Sequence, residues 1–302
     1  MYTANVAFAS IILAAGTALG LVYGTFDTQE VRPWDVPGQE AAKLVTFPVV
    51  YPAPPSLAVG LTALDVSNGA DIRVSASPPN ITRTSALLHL DTWADTRLYS
   101  AASIWFAISD GNPGYQTGRF NTVEDHPWYL PQQNTSRRIT FARPYAAPPR
   151  VVVWLNSLDM DRSRGWRISA TATAVTATGF TLNLNTWADT ILYSAGATWV
   201  AYPSESTGIS SGVYSTYDVR NWNPPQLTTS GTVAFPAGTF ERVPTVLFAL
   251  NFLDVGYTAN LRMRASVDPV SHTGMAWHFD GWADSVIYSA GASYIAFSEA
   301  VQ

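Results

Sequence analysis

Polar and apolar side chains alternate along most of this chain. In "GFTLNLNTW" the residues Phe180, Leu182 and Leu184 fall on one side, and Thr181, Asn183 and Asn185 on the other. A period of two marks a strand with one buried face. "RVVVWLNSL" and "TWVAYPS" carry more Val, Trp and Tyr and are expected as central strands. Turn residues interrupt these runs, in "YPAPP", "SNGAD", "TATG" and "WADT", at the spacing of roughly 8–12 residues typical of small sandwiches. No segment beyond the first twenty residues sustains a helical period.

The pattern occurs three times. "TWADTRLYSA" returns as "TWADTILYSA" and as "GWADSVIYSA", which places Trp93, Trp187 and Trp282 94 and 95 residues apart. Gly24, Gly118 and Gly212 repeat at 94 and 94. Between these anchors the same landmarks recur in order. "GTFDTQEVRPW", "GRFNTVEDHPW" and "GVYSTYDVRNW" open the units; "LTALDV", "LNSLDM" and "LNFLDV" follow, then "DIRVSAS", "WRISAT" and "LRMRAS". Such a period is far above solenoid length, so the units are tandem domains, each large enough for its own core. Boundaries fall at residues 1–20, 21–111, 112–205 and 206–302. The expected fold is all-β: three six-stranded antiparallel sandwiches and a short apolar leader that is the one helix candidate.

Composition narrows the function. The chain is 47% hydrophobic and 13% charged, with 11 Trp, 14 Tyr and 13 Phe, which sets it apart from disordered chains. A net charge of −5 without a basic run argues against a nucleic-acid partner. With no cysteine there is no disulfide or thiolate metal site, and nothing demands an oxidising compartment. Four scattered histidines do not make a repeated metal site, and no cofactor is implied. The leader, "ANVAFASIILAAGTALGLVYG", is uncharged and lacks the basic n-region of a signal peptide. A packed segment that drives further oligomerisation is the favoured expectation, ahead of a membrane segment or an unprocessed signal; a cytoplasmic or unconventionally secreted protein is expected.

Where charges are few, those that recur are informative. Glu30, Glu124 and Asp218 form one set; Asp65, Asp159 and Asp254 another; Arg73, Arg167 and Arg262 a third; Asp95, Asp189 and Asp284 a fourth. The Asp65 set follows a leucine at a strand end, where an aspartate most simply bonds the N–H groups of its own turn. An arginine on a strand of small and apolar residues needs an acidic partner or a wet site. An indole, a carboxylate, a guanidinium fork and a phenol together suit a sugar, whose C–H face stacks on the ring while its hydroxyls need donors and acceptors. No nucleophile elbow or phosphate-binding glycine loop is present, so catalysis is not expected.

At these residues the sequence resembles the H-type lectin family of snail agglutinins and discoidin C-terminal domains. The ordered set runs from the glycine strand through "LD" and "R…A" to "TWADT.LYSA…W.A". The resemblance implies a trimeric assembly of six-stranded sandwiches that binds galactose or N-acetylgalactosamine glycans near protomer boundaries. Its sugar-holding residues carry over to Trp93 and Tyr99, Trp187 and Tyr193, Trp282 and Tyr288, with Arg73, Arg167 and Arg262. For the first-loop acid the nearest matches are Glu30, Glu124 and Asp218, with Asp27 and Asp35 as alternatives in the first copy. Ala94, Ala188 and Ala283 stand where the snail proteins carry a sugar-contacting histidine. One chain with three units implies a covalent pseudo-trimer with multivalent binding. The competing reading is a structural or membrane-interacting protein with the β-units as scaffold.

Overall fold

The structure, a computed structural model, describes residues 21–298. The apolar leader and its expected role in assembly lie outside them. Each repeat supplies six strands. In the first these are β1 (Val22–Asp27), β2 (Ala42–Thr46), β3 (Ser56–Val66), β4 (Ile72–Ile81), β5 (Ser85–Asp91) and β6 (Leu98–Ile108). In the second they are β7 (Gln116–Asn121), β8 (Asn134–Thr140), β9 (Arg150–Met160), β10 (Trp166–Thr176), β11 (Gly179–Asn185) and β12 (Leu192–Tyr202). In the third they are β13 (Ile209–Ser215), β14 (Thr228–Ala234), β15 (Thr245–Val255), β16 (Leu261–Val270), β17 (Gly274–Asp280) and β18 (Ile287–Phe297). Among the described residues, the helical content is one 3₁₀ turn per repeat, directly after the first strand. Among the described residues, no helix is long and apolar enough to cross a membrane.

Two three-stranded layers make each sandwich, and each layer continues into a different neighbour. The first repeat contributes β1-β6-β3 to one sheet and β2-β5-β4 to another. The second layer pairs β4 with β9 of the second repeat, while β3 of the first layer pairs with β16 of the third. The second and third repeats join through β10 and β15. Three six-stranded antiparallel sheets therefore close a ring of repeats, each sheet half from one and half from the next. Backbone ladders thus hold the repeats together.

Where the three repeats meet, an apolar cluster forms from β3, β6, β9, β12, β15 and β18. At its centre the equivalent positions hold Gly60, Trp154 and Ala249. Trp154 is fully buried and donates its indole N–H to the Ser293 carbonyl at 3.0 Å. A Cβ on Gly60 would stand 2.4 Å from the Ala249 Cβ and 2.7 Å from the Trp154 Cβ. One large and two small residues fill a space that three alike could not.

The recurring glycine of β1, β7 and β13 has a packing reason. Gly24 lies opposite Trp105, Gly118 opposite Trp199 and Gly212 opposite Tyr294. Each ring folds over its glycine so closely that a Cβ would come within 2.8, 2.7 and 3.0 Å of it. The aromatic body covers the backbone that the glycine leaves bare.

Candidate carbohydrate site

The site begins with a tight turn between the two layers of a repeat. The N–H groups of Thr96, Thr190 and Ser285 return to the carbonyls of Trp93, Trp187 and Trp282 at 3.3, 3.4 and 3.3 Å. Ala94, Ala188 and Ala283 follow the tryptophans with φ of +56° in all three copies. That left-handed conformation costs an L-residue about 1 kcal/mol, so the surrounding bonds must hold it. The Thr92 and Thr186 hydroxyls donate to the carbonyls of Arg73 and Arg167, each at 2.6 Å. Gln39 and Gln133 clamp the Ala94 and Ala188 carbonyls at 2.7 and 2.8 Å. In the third copy Gly281 and Leu227 occupy these two positions, and neither side chain can make the bond. The Ser285 hydroxyl still reaches the Asn260 carbonyl at 2.7 Å, as Thr96 reaches that of Asp71 at 2.6 Å.

Each arginine spans a repeat boundary. Arg73 lies opposite Asp159, Arg167 opposite Asp254, and Arg262 opposite Asp65, in strand pairs that join two repeats. The guanidinium Nε faces that buried carboxylate at 3.5, 3.2 and 3.5 Å. Its Nη1 grips the exposed aspartate of its own turn: Asp95 at 2.6 Å, Asp189 at 2.7 Å and Asp284 at 2.6 Å. This corrects the turn role expected for Asp65, Asp159 and Asp254. Their side chains are used across the ring, where a single repeat read alone offers no partner.

The charge balance follows from burial. Desolvation raises Asp65, Asp159 and Asp254 above the ordinary aspartate value, opposed by their arginines, and Asp159 reaches about 6. The Trp282 side chain also bonds Asp65 and lowers it. Asp95 and Asp284 are held below the usual range by the bonds from Arg73 and Arg262. Arg73 and Arg262 therefore each join an inner acid disfavoured by burial to an outer acid that they favour.

Tryptophan and tyrosine of one hairpin go to different boundaries. The Trp187 indole lies on Phe252 of the third repeat, whereas the Tyr193 hydroxyl donates to Asp161 at 2.9 Å beside the first. Burial first, then Asp161, Asp71 and Asp159, push the Tyr193 phenol up to about 12. The turn carrying Trp187 ends one layer and Tyr193 begins the other, and the two layers join different neighbours. One boundary thus assembles Trp93, Asp95 and Arg73 with Asp159 and Tyr193. The next assembles Trp187, Asp189 and Arg167 with Asp254 and Tyr288. The last assembles Trp282, Asp284 and Arg262 with Asp65 and Tyr99.

Glu30, Glu124 and Asp218 have a different placement. Each is exposed on the 3₁₀ turn and accepts the backbone N–H of the capping residue, Asp27, Asn121 or Ser215, at 2.9, 3.0 and 2.8 Å. Each closes a capping box. Glu30 also pairs with Lys43. Asp27 caps through the Gln29 N–H at 2.8 Å and feels the charge of Arg264 from the third repeat. Asp35 lies in the exposed turn beyond it.

The boundaries are chemically unequal. The residue two positions before the inner aspartate is Ala63, Ser157 or Phe252, and the phenylalanine stacks on Trp187 with ring centroids 5.2 Å apart and planes 20° from parallel. Arg73 alone of the three arginines has an acid two positions earlier, Asp71, which takes its Nη2 at 2.6 Å. Gly165 and Asn260 occupy that place in the other copies. Three exposed tryptophans, Trp34, Trp128 and Trp222, were not singled out from sequence although each ends a repeated opening motif. They pack on Tyr99, Tyr193 and Tyr288 at 6.4, 6.2 and 5.7 Å.

Paired aromatic and charged groups line the seams of the ring, and the domains that form it are those of a carbohydrate-binding lectin. Residues 42–108, 136–202 and 230–297 each match the H-type lectin domain. The chain belongs to that family, with three domains in tandem. Among curated proteins, it is 35% identical over 66 residues to the "ATP synthase subunits region ORF 7" protein of Fuscovulum blasticum. That match spans 22% of this chain and 57% of the relative's length. Among solved structures, it is similar to recombinant discoidin II of Dictyostelium discoideum, at 16% identity and a TM-score of 0.27 over 54% of this chain and 82% of that one. Wild-type discoidin II gives 13% identity and a TM-score of 0.26 over 60% and 93%.

Proposed function

We propose that the chain is a multivalent lectin for galactose- or N-acetylgalactosamine-terminated glycans, with a site at each repeat boundary. The observation that carries this reading is the meeting of Trp, Asp and Arg from one repeat with Asp and Tyr from the next. The exposed oxygen atoms of Asp95, Asp189 and Asp284 accept sugar hydroxyls, the guanidinium donates the N–H groups its aspartates leave over, fewest in Arg73 where Asp71 takes Nη2, and the indole takes the C–H face. An outer aspartate kept charged by its arginine is a strong acceptor. The ring closed by three interrepeat ladders serves as a covalent pseudo-trimer, so site spacing is fixed within one chain. One shallow site binds at about millimolar to micromolar strength, and a multivalent surface strengthens this by ~10²–10⁴ where spacing allows.

The three sites differ in strength. Phe252 covers one face of Trp187, and the turn at Trp282 lacks both side-chain clamps, so the Trp93 site is the best ordered. A glycan array followed by calorimetry with galactose and N-acetylgalactosamine tests the reading. Binding to glycans with either terminal sugar is expected. No binding to any of them would leave a scaffold role for the β-repeats.

A further inference from the structure

Each repeat holds one tryptophan out in solvent by a dedicated anchor. Trp34, Trp128 and Trp222 are 56%, 57% and 51% exposed, and none contributes to the core. Leaving so much aromatic surface in water is unfavourable, yet the loops that carry it are fastened down. In the first repeat Arg32, whose charge burial disfavours, donates to the carbonyls of Tyr99 at 2.8 Å, Leu98 at 2.9 Å and Val36 at 3.1 Å. In the third, Arg220 does the same to Tyr288 and Asn221, each at 2.9 Å. In the second, His126 takes this place and bonds Thr135 at 3.0 Å. Trp128 there sits edge-on to both Tyr193 and Tyr129.

In the first and third repeats the anchor bonds the backbone of the boundary tyrosine, Tyr99 or Tyr288, while in the second the link to Tyr193 is the ring contact of Trp128 itself. Exposed indole and boundary phenol are in ring contact in every repeat. We propose that Trp34, Trp128 and Trp222 form an outer subsite that stacks the next sugar ring of a glycan whose terminal residue occupies the boundary site. A rigid indole meets a ring at little entropic cost. A lipid surface is the poorer partner: the same turns expose Asp35, Glu124 and Asp218, which an anionic membrane repels, while Glu30 and Asp125 are ion-paired with Lys43 and Arg137. This inference rests on the boundary sites being carbohydrate sites.

The test is calorimetry on the full chain and on the triple variant Trp34→Ala, Trp128→Ala, Trp222→Ala, whose altered positions are exposed and leave the core untouched. The probes are galactose, N-acetylgalactosamine, and disaccharides bearing each at the non-reducing end. In the unaltered chain the disaccharide should bind about 3–10-fold more tightly than its monosaccharide, the range of one aromatic contact. The variant should lose that gain and keep its monosaccharide affinity. Equal binding of mono- and disaccharide to the unaltered chain would overturn the subsite while leaving the boundary sites standing. Absence of monosaccharide binding would overturn both. Binding to glycan-free phosphatidylcholine vesicles that the triple variant loses, with no change toward disaccharides, would assign the tryptophans to membranes instead.

Discussion

The Phe252 ring lies against the Trp187 indole across the boundary of the second and third repeats, nearly parallel to it. The equivalent position is Ser157 beside the first tryptophan and Ala63 beside the third. A sugar at Trp187 must therefore share the indole with a phenyl ring. Calorimetry on the unaltered chain should give weak or absent binding at this boundary, and Phe252→Ser should add a site. The substitution removes a half-buried ring, so a stability loss below the ~3–5 kcal/mol of a fully buried phenylalanine is expected. An unchanged stoichiometry in the serine variant would show that Phe252 does not block the site.

In the Phe252→Ser chain, Arg167→Ala should remove the gained sugar binding at the same boundary, and in either background it should lower stability. Asp254 is 7% exposed and faces Arg167 across two repeats, so the substitution strands a buried carboxylate, at a cost of about 3–5 kcal/mol. The double variant Arg167→Met, Asp254→Leu should recover most of that loss without recovering binding. Thermal unfolding of both variants separates the two roles. If the single variant melts like the unaltered chain, the arginine does not brace the seam.

Stability should depend on pH through Asp159. Burial pushes its carboxyl up to about 6, against the pull of Arg73. In the unfolded chain the value is near 3.8, so the folded form holds this proton longer. The stabilisation is complete below about 3.8 and lost as pH rises through about 6. Asp65 and Asp254 shift in the same direction. Asp159→Asn removes one such term and leaves Arg73 paired with Asp71 and Asp95. Denaturant midpoints of the variant should therefore gain on the unaltered chain between about pH 4 and 6. Two parallel pH profiles would contradict this.

The centre of the ring offers a test of packing. Gly60→Ala places a methyl 2.4 Å from the Ala249 Cβ, an overpacking that costs about 1–3 kcal/mol. Ala249→Gly on its own leaves a small void. Combined, the two move one methyl group from one repeat to another, and the melting temperature should recover in part, the close approach to the Trp154 Cβ at 2.7 Å remaining. Additive losses in the double variant would mean that the two positions do not share space.

Much of this arrangement could be read from the chain because it is local. Alternation at Phe180, Leu182 and Leu184 marks β11, and all three are fully buried. The arginine on a small-residue strand called for an acid, and Asp95, Asp189 and Asp284 answer within the repeat. What a repeat cannot announce is its neighbour. Asp159 reads as a turn residue until β9 is laid beside β4, and Trp187 and Tyr193 read as partners until their layers part. Glu30, Glu124 and Asp218 recur because each closes a capping box, a structural reason for repetition as good as a functional one. Trp34, Trp128 and Trp222 were within reach, since each recurs at the end of an opening motif.

The unequal residues at the centre of the ring also bear on how such a gene can change. Duplicated segments tend to be overwritten by one another through recombination, which keeps copies alike. Here three copies of the second repeat would drive three indoles into the space that Trp154 fills alone. Three copies of the first would bring three glycines together and leave it empty. Either product would fold poorly, so selection removes it. Trp154, Gly60 and Ala249 thus tie each repeat to its own place in the ring, whatever its boundary residues are.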